Sequence, residues 1–236
     1  MRTAIHYLPI ATTIFATFFC LELIARFRAQ PERKHYLWWA LGVAVYGAGT
    51  LTESLTTLIG WHSWLFRAWY ITGALLGGAP LAQGSVYLLL RKRTADILSL
   101  SLVAYVTAAA ICVILSPLNL ALVEPHRLTG AVLEWHWVRY LSPVVNTYAV
   151  IFLVGGAIVS AVRYSRDNET RNRFLGNVFI AVGAILPGIG GSATRMGYVE
   201  VLYVTELVGL IIIFFGYRLN VRGKALSVHP AHAVAT

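Results

Sequence analysis

The sequence predicts an all-α membrane protein: one bundle of seven transmembrane helices, N-terminus outside and C-terminus in the cytoplasm. Three observations carry this. Of 236 residues, 58% are hydrophobic and only 12% charged, far below the charge content of a soluble domain. Seven apolar windows reach the roughly 20 residues needed to cross about 30 Å of hydrocarbon. The cations segregate into alternate connections between those windows.

Span 1 is expected at 4–26. Arg2 precedes it as in a secretion signal, but the apolar run is too long and has no small-residue cleavage site. Span 2, at 36–60, is apolar except for one polar stripe. Span 3, at 65–90, holds Gly73 and Gly77 four residues apart, then Pro80 and Gly84, a pattern that predicts close helix approach and a bend. Span 4, at 95–117, follows the basic triplet Arg91, Lys92, Arg93. A long connection, 116–140, is punctuated by Pro117 and Pro125, and its stretch "LTGAVLEWHWV" predicts a short helix lying at the membrane interface. Span 5 follows at 138–162. Span 6, at 174–194, crowds Gly183, Pro187, Gly188, Gly190 and Gly191 into its outer half, which is expected to be kinked or unwound. Span 7 occupies 199–218. Residues 1–220 thus form a single domain, and 221–236 a flexible cytoplasmic tail.

Fourteen of the nineteen Lys and Arg fall in four segments: 26–34, 91–93, 163–173 and 218–224. By the positive-inside rule these face the cytoplasm. The net charge of +9 therefore reports topology, and the absence of a separate basic domain argues against nucleic acid as a partner. The compact, arginine-rich chain reads as a multi-pass protein of a bacterial inner (plasma) membrane. Tryptophans 61, 64, 69, 135 and 137 cluster at outer span ends, as an aromatic belt would. Cys20 and Cys112 lie at opposite depths, too far apart for a disulfide.

Several chemistries lack their residues. A membrane haem needs histidines deep in the spans, and His6, His35, His62, His126 and His136 all sit near span ends. A retinal Schiff base needs a lysine in the last span, but Lys34, Lys92 and Lys224 lie in connections or the tail. The outer histidines show no metal-ligand spacing, and the glycine run of span 6 lacks the strand and lysine of a phosphate loop. No cofactor, metal site or catalytic residue is expected, and the chain reads as a non-enzyme.

What remains is the polar content of the spans. Tyr46, Gly49, Thr50, Glu53, Thr56 and Thr57 recur at spacings of three and four, one face of span 2. A carboxylate in hydrocarbon costs roughly 2.5–3.5 kcal/mol on insertion scales, so Glu53, and Glu206 in span 7, each imply a purpose. Counted from their span ends, the two acids share a depth. Asn146, Tyr70 and Tyr203 fall at comparable levels as orienting donors, with Arg67 and Arg195 as counter-charges. The expected site is an outward-facing polar pocket that binds a small ligand or ion, in sensing or transport, with Gln83 and Asn177 as the only steps of an inward path. Because the inner connections are too short for an output module, a cytoplasmic or membrane partner protein is expected beside the lipid bilayer. The competing expectation is an accessory or scaffold subunit of a larger membrane complex, whose polar network only sets helix register.

Overall fold

A computed structural model describes residues 4–124, 127–166 and 170–226. The chain is all-helical, 87% of it, with no strand among the described residues. A short 3₁₀ turn, Ala4–Tyr7, leads into α1, Leu8–Ala29, whose early Pro9 falls where the missing N–H is not needed. α1 closes as the Gln30 N–H turns back to the carbonyls of Arg26 and Phe27, both at 3.1 Å, with Arg26 and Arg28 in the last turn complementing its negative end. α2, Lys34–Ile59, runs back antiparallel and stops at Gly60.

The third expected span is not one helix. α3, Ser63–Trp69, passes into a π-helical stretch, Tyr70–Leu76. Gly77 then turns the chain at φ +42°, a left-handed conformation a side chain would resist, and α4 restarts at Ala79–Leu89 with Pro80 in its first turn. The bend expected from these glycines and the proline sits at this break. α5, Lys92–Leu115, packs peripherally against α4 and α6. α6, Leu141–Ala149, continues through a second π-helical stretch, Val150–Gly155, into α7, Gly156–Tyr164.

α8, Arg171–Arg195, is continuous through Pro187, so the unwound outer half expected for span 6 is not what its glycines make. They pack. α8 and α9, Val199–Leu226, form a tight antiparallel hairpin. A Cβ on Gly183 would lie 2.6 Å from the Gly209 carbonyl oxygen, and one on Gly209 would lie 2.7 Å from that of Gly183. Seven residues along each helix, Gly176 and Gly216 repeat the arrangement. Small residues let the backbones meet where larger ones would hold them apart. α9 is helical to Leu226, past the expected domain end at 220; the tail from 227 to 236, and His126, lie outside the described residues.

Five stretches are long and apolar enough to cross a membrane: Ala4–Ala29, Lys92–Leu115, His136–Tyr164, Arg171–Arg195 and Val199–Val221. These five support a membrane protein. Of the seven expected spans, the second is a continuous helix diluted by its aromatic start and polar last third, and the third is interrupted at Gly77. Lys34 Nζ meets Asp96 at 3.0 Å and Arg218 meets Glu22 at 3.0 Å. These pairs tie α2 to α5 and α9 to α1 at the arginine-rich end.

At the opposite end the 116–140 connection folds down onto the bundle and does not form the expected interfacial helix. Gly130–Val132 and His136–Tyr140 are 3₁₀ turns. Leu128, Val132, Leu133 and Val138 are buried against Phe66, Tyr70 and Val113. Arg127 closes the cap: its Nε donates to Glu124 Oε2 at 2.8 Å and its Nη1 to the Thr194 carbonyl at 2.9 Å. The main core lies lower, where Phe19, Leu23, Val43, Leu81, Leu210 and Tyr217 meet. Cys20 and Cys112 are both free thiols.

Candidate functional site

The polar stripe of α2 turns inward. Thr50, Thr52, Glu53, Ser54 and Thr56 are all buried, and four of the five satisfy themselves on α2: each hydroxyl donates to a carbonyl three or four residues back, as with Ser54 to Thr50 at 2.8 Å. Thr50 also meets Thr13 of α1, oxygen to oxygen, at 2.9 Å. Glu53 has no such local partner, and its carboxyl projects toward α9.

There it meets Glu206. The two carboxyl groups lie within hydrogen-bonding reach of each other, across the α2–α9 contact. Trp69 at the end of α3 donates its indole Nε1–H to Glu53 Oε1 at 3.0 Å. Tyr46, two turns below Glu53, donates its hydroxyl to the backbone carbonyl of Glu206 at 3.0 Å. The second carboxyl oxygens, Glu53 Oε2 and Glu206 Oε2, are shut off from solvent without a hydrogen-bond donor. Among the described residues no lysine or arginine forms an ion pair with either acid. Two ionised carboxylates so placed would repel, with the Trp69 N–H on Glu53 and no ion-paired cation among the described residues to offset it. A proton or a cation between them removes that repulsion.

Tyr203, one turn above Glu206 and 5% exposed, lies within electrostatic range of both acids and of Glu200. Its ring packs edge-on to His6 at 6.1 Å, and His6 Nε2 stands 4.0 Å from Glu200 Oε1 near the surface. The order from surface to pair is therefore Glu200, His6, Tyr203, Glu206, Glu53.

The other expected members are elsewhere. Arg67 donates from Nη2 to the Ser116 carbonyl at 3.0 Å, capping the negative end of α5; its buried Nε has no partner. Arg195 is exposed at the last residue of α8 and lies within electrostatic range of Tyr70, not in an ion pair with Glu206. Tyr70 is buried under the cap and accepts from Ser142 Oγ at 3.5 Å. Asn146 is exposed and donates to the Ala74 carbonyl at 3.5 Å, next to the Gly77 break, where the backbone has freed acceptors. The structure thus brings Glu53, Glu206 and Tyr203 together and leaves Arg67, Arg195, Tyr70 and Asn146 outside the pair's contacts.

Two contributors were not expected as site residues. Tyr46 stands on the same helical stripe as Glu53, so spacing could have found it. Trp69 reads as one more belt tryptophan; its inward turn has no signature in the sequence.

Of the expected inward path, Gln83 is fully buried and consumed: its amide donates to the Ala95 carbonyl at 3.0 Å, and its oxygen accepts the Tyr148 hydroxyl. Asn177 bonds the Asn220 side chain at 3.3 Å, near the arginine-rich end. Between the acid pair and that end lie the apolar side chains of Val43, Leu81, Leu210 and Ile213.

Among the described residues, no group of three or more His, Cys, Asp and Glu is placed to hold a metal ion. No family model matches the chain, and no curated protein or solved structure is significantly similar to it.

Proposed function

We propose that this chain is a non-enzymatic, multi-pass protein of a bacterial plasma membrane that takes up a proton or a small cation at Glu53 and Glu206. The charge segregation supports an N-terminus facing outward and an arginine-rich end facing the cytoplasm, so that the pair is reached from outside past Glu200, His6 and Tyr203. The observation that carries this reading is the contact of the buried Glu53 carboxyl with that of the partly buried Glu206, without an ion pair to lysine or arginine among the described residues, each with one buried, unpaired oxygen. Intramembrane acids without counter-charge are features of proton and ion pathways.

Sensing is favoured over transport. The apolar layer of Val43, Leu81, Leu210 and Ile213 beneath the pair, and the engagement of Gln83, support a site that ends at mid-depth. A response at α2 and α9 would be read by a cytoplasmic or membrane partner protein.

Thermal stability of the purified protein tests this. Glu53→Gln and Glu206→Gln each replace a charge by a near-isosteric neutral group. Both variants are expected to melt within about 1 kcal/mol of wild type or above it. Wild type is expected to gain stability on acidification from about pH 8 to about pH 5, or with a small organic cation, by RT ln(1 + [L]/Kd); both variants are expected to lose that gain. If both variants destabilise the bundle and no condition shifts wild type, the pair is a register-setting contact of a scaffold subunit.

A further inference from the structure

The two carboxyl groups of the acid pair are not equivalent, and the difference comes from the end of α3. α2 and the chain from α3 into the first π-helical stretch approach closely at two glycines: a Cβ on Gly49 would lie 3.4 Å from the Gly73 Cα. One turn from each glycine stand Glu53 and Trp69, so the approach that the glycines permit brings the indole to the carboxyl group. The indole is also held from its other side. Its ring centroid lies 6.1 Å from that of Phe66 and 6.2 Å from that of Tyr70, both buried under the 116–140 cap. So fixed, its Nε1–H reaches Glu53 Oε1 at 3.0 Å.

An indole nitrogen donates and never accepts. A donor on a carboxyl oxygen favours the charged form of that group. Glu53 has this donor, whereas Glu206 Oε2, sealed from solvent, has none, and Tyr46 bonds the Glu206 backbone rather than its side chain. Access differs in the same sense. Glu53 is 5% exposed, while Glu206 is only partly buried and stands one turn from Tyr203. The other titratable side chains acting on the pair are Tyr46 on α2 and Tyr203 on α9. Farther out, Glu200 acts on Tyr203 and His6 packs against its ring.

We propose that Trp69 is the positioning residue of the pair: it holds the negative charge on Glu53, so that the exchangeable proton is carried by Glu206, whose O–H donates to Glu53. Glu206 is then the exchanging group and Glu53 its fixed counter-charge. This inference rests on the reading of the pair as an exchangeable site, with the proton as its ligand.

Two vibrational signals test it in the full chain in lipid bilayers. Infrared spectroscopy reads the protonated carboxyl, and ultraviolet resonance Raman reads the strength of indole N–H hydrogen bonds. Among the seven tryptophans, the N–H band that Glu53→Gln weakens is that of Trp69. Between about pH 8 and about pH 5 the carboxyl band of wild type is expected to grow while the Trp69 band holds its position, because Glu53 stays charged. A Trp69 band that weakens in step with the carboxyl band puts the proton on Glu53 and overturns the proposal. Trp69→Phe keeps a ring and removes the donor. It is expected to move the midpoint of the carboxyl response up by about one pH unit, a tenfold gain in proton affinity from the loss of one hydrogen bond to a charged group. In the Glu53→Gln background the same substitution is expected to leave the midpoint in place. Equal shifts in both backgrounds, or none in either, make Trp69 a packing residue only and overturn the proposal while the exchangeable site stands. A wild type with no acid-responsive carboxyl band that depends on Glu53 or Glu206 removes the site itself, and this inference with it.

Discussion

Replacing Gly183 with leucine is expected to destabilise the bundle by about 3 kcal/mol or more, the upper end of overpacking costs. The new Cβ would stand 2.6 Å from the Gly209 carbonyl oxygen and 2.9 Å from Ile213 Cγ1. The backbone oxygen belongs to a hydrogen-bonded helix and cannot swing aside, so α8 and α9 must separate along their whole seam. Gly188, on the same helix, has nothing within 4 Å of its would-be Cβ. Gly188→Leu is expected to stay within about 1 kcal/mol of wild type. Melting temperatures and monodisperse yield of the two variants in detergent check this: similar losses in both would mean that the glycines act through helix propensity and not through close approach.

Gln83→Leu is expected to cost about 2 kcal/mol, because it strands the partly buried Tyr148 hydroxyl and removes a donor from the Ala95 carbonyl. The double variant with Tyr148→Phe removes the stranded hydroxyl and is expected to recover part of the loss, a coupling that a double-mutant cycle measures. The same variant addresses the path through the bundle. With Gln83 acting only as a brace between α4, α5 and α6, the ligand- or pH-dependent stability shift of the acid pair survives Gln83→Leu. Loss of that shift together with an unchanged melting temperature would make Gln83 a step in a conduction path.

Depth was legible in the sequence; rotation about the helix was not. A rise of 1.5 Å per residue puts Glu53 and Glu206 at one level from their span ends, and the three-and-four spacing of the α2 stripe marks its inward face. Depth also placed Arg67, Arg195, Tyr70 and Asn146 near that level, yet each turns elsewhere. Arg67 goes to the carbonyl end of α5, and Asn146 to a carbonyl beside the Gly77 break. Such backbone acceptors exist only once the helices end or break, which no residue count anticipates. Trp69 illustrates the same limit, since an indole at a span end suits lipid headgroups and a buried carboxylate equally well. The glycines of α8 point two ways: their local density resembles a break, while their seven-residue spacing from Gly176 to Gly183 to Gly190 matches a packed seam. The seam is recognisable only beside Gly209 and Gly216 of the helix that meets it.

Whether Glu53 and Glu206 form one exchangeable site can be read from their carboxyl groups directly by infrared spectroscopy. Wild type in lipid bilayers would be titrated from about pH 8 to about pH 5, and separately with a small ammonium cation, beside Glu53→Gln, Glu206→Gln and the double variant. Wild type is expected to show a carboxyl signal that responds to acid or to the cation, that changes in each single variant and that is missing from the double variant. A spectrum in which no responding signal depends on these two residues would contradict it, leaving the pair as a fixed contact between α2 and α9.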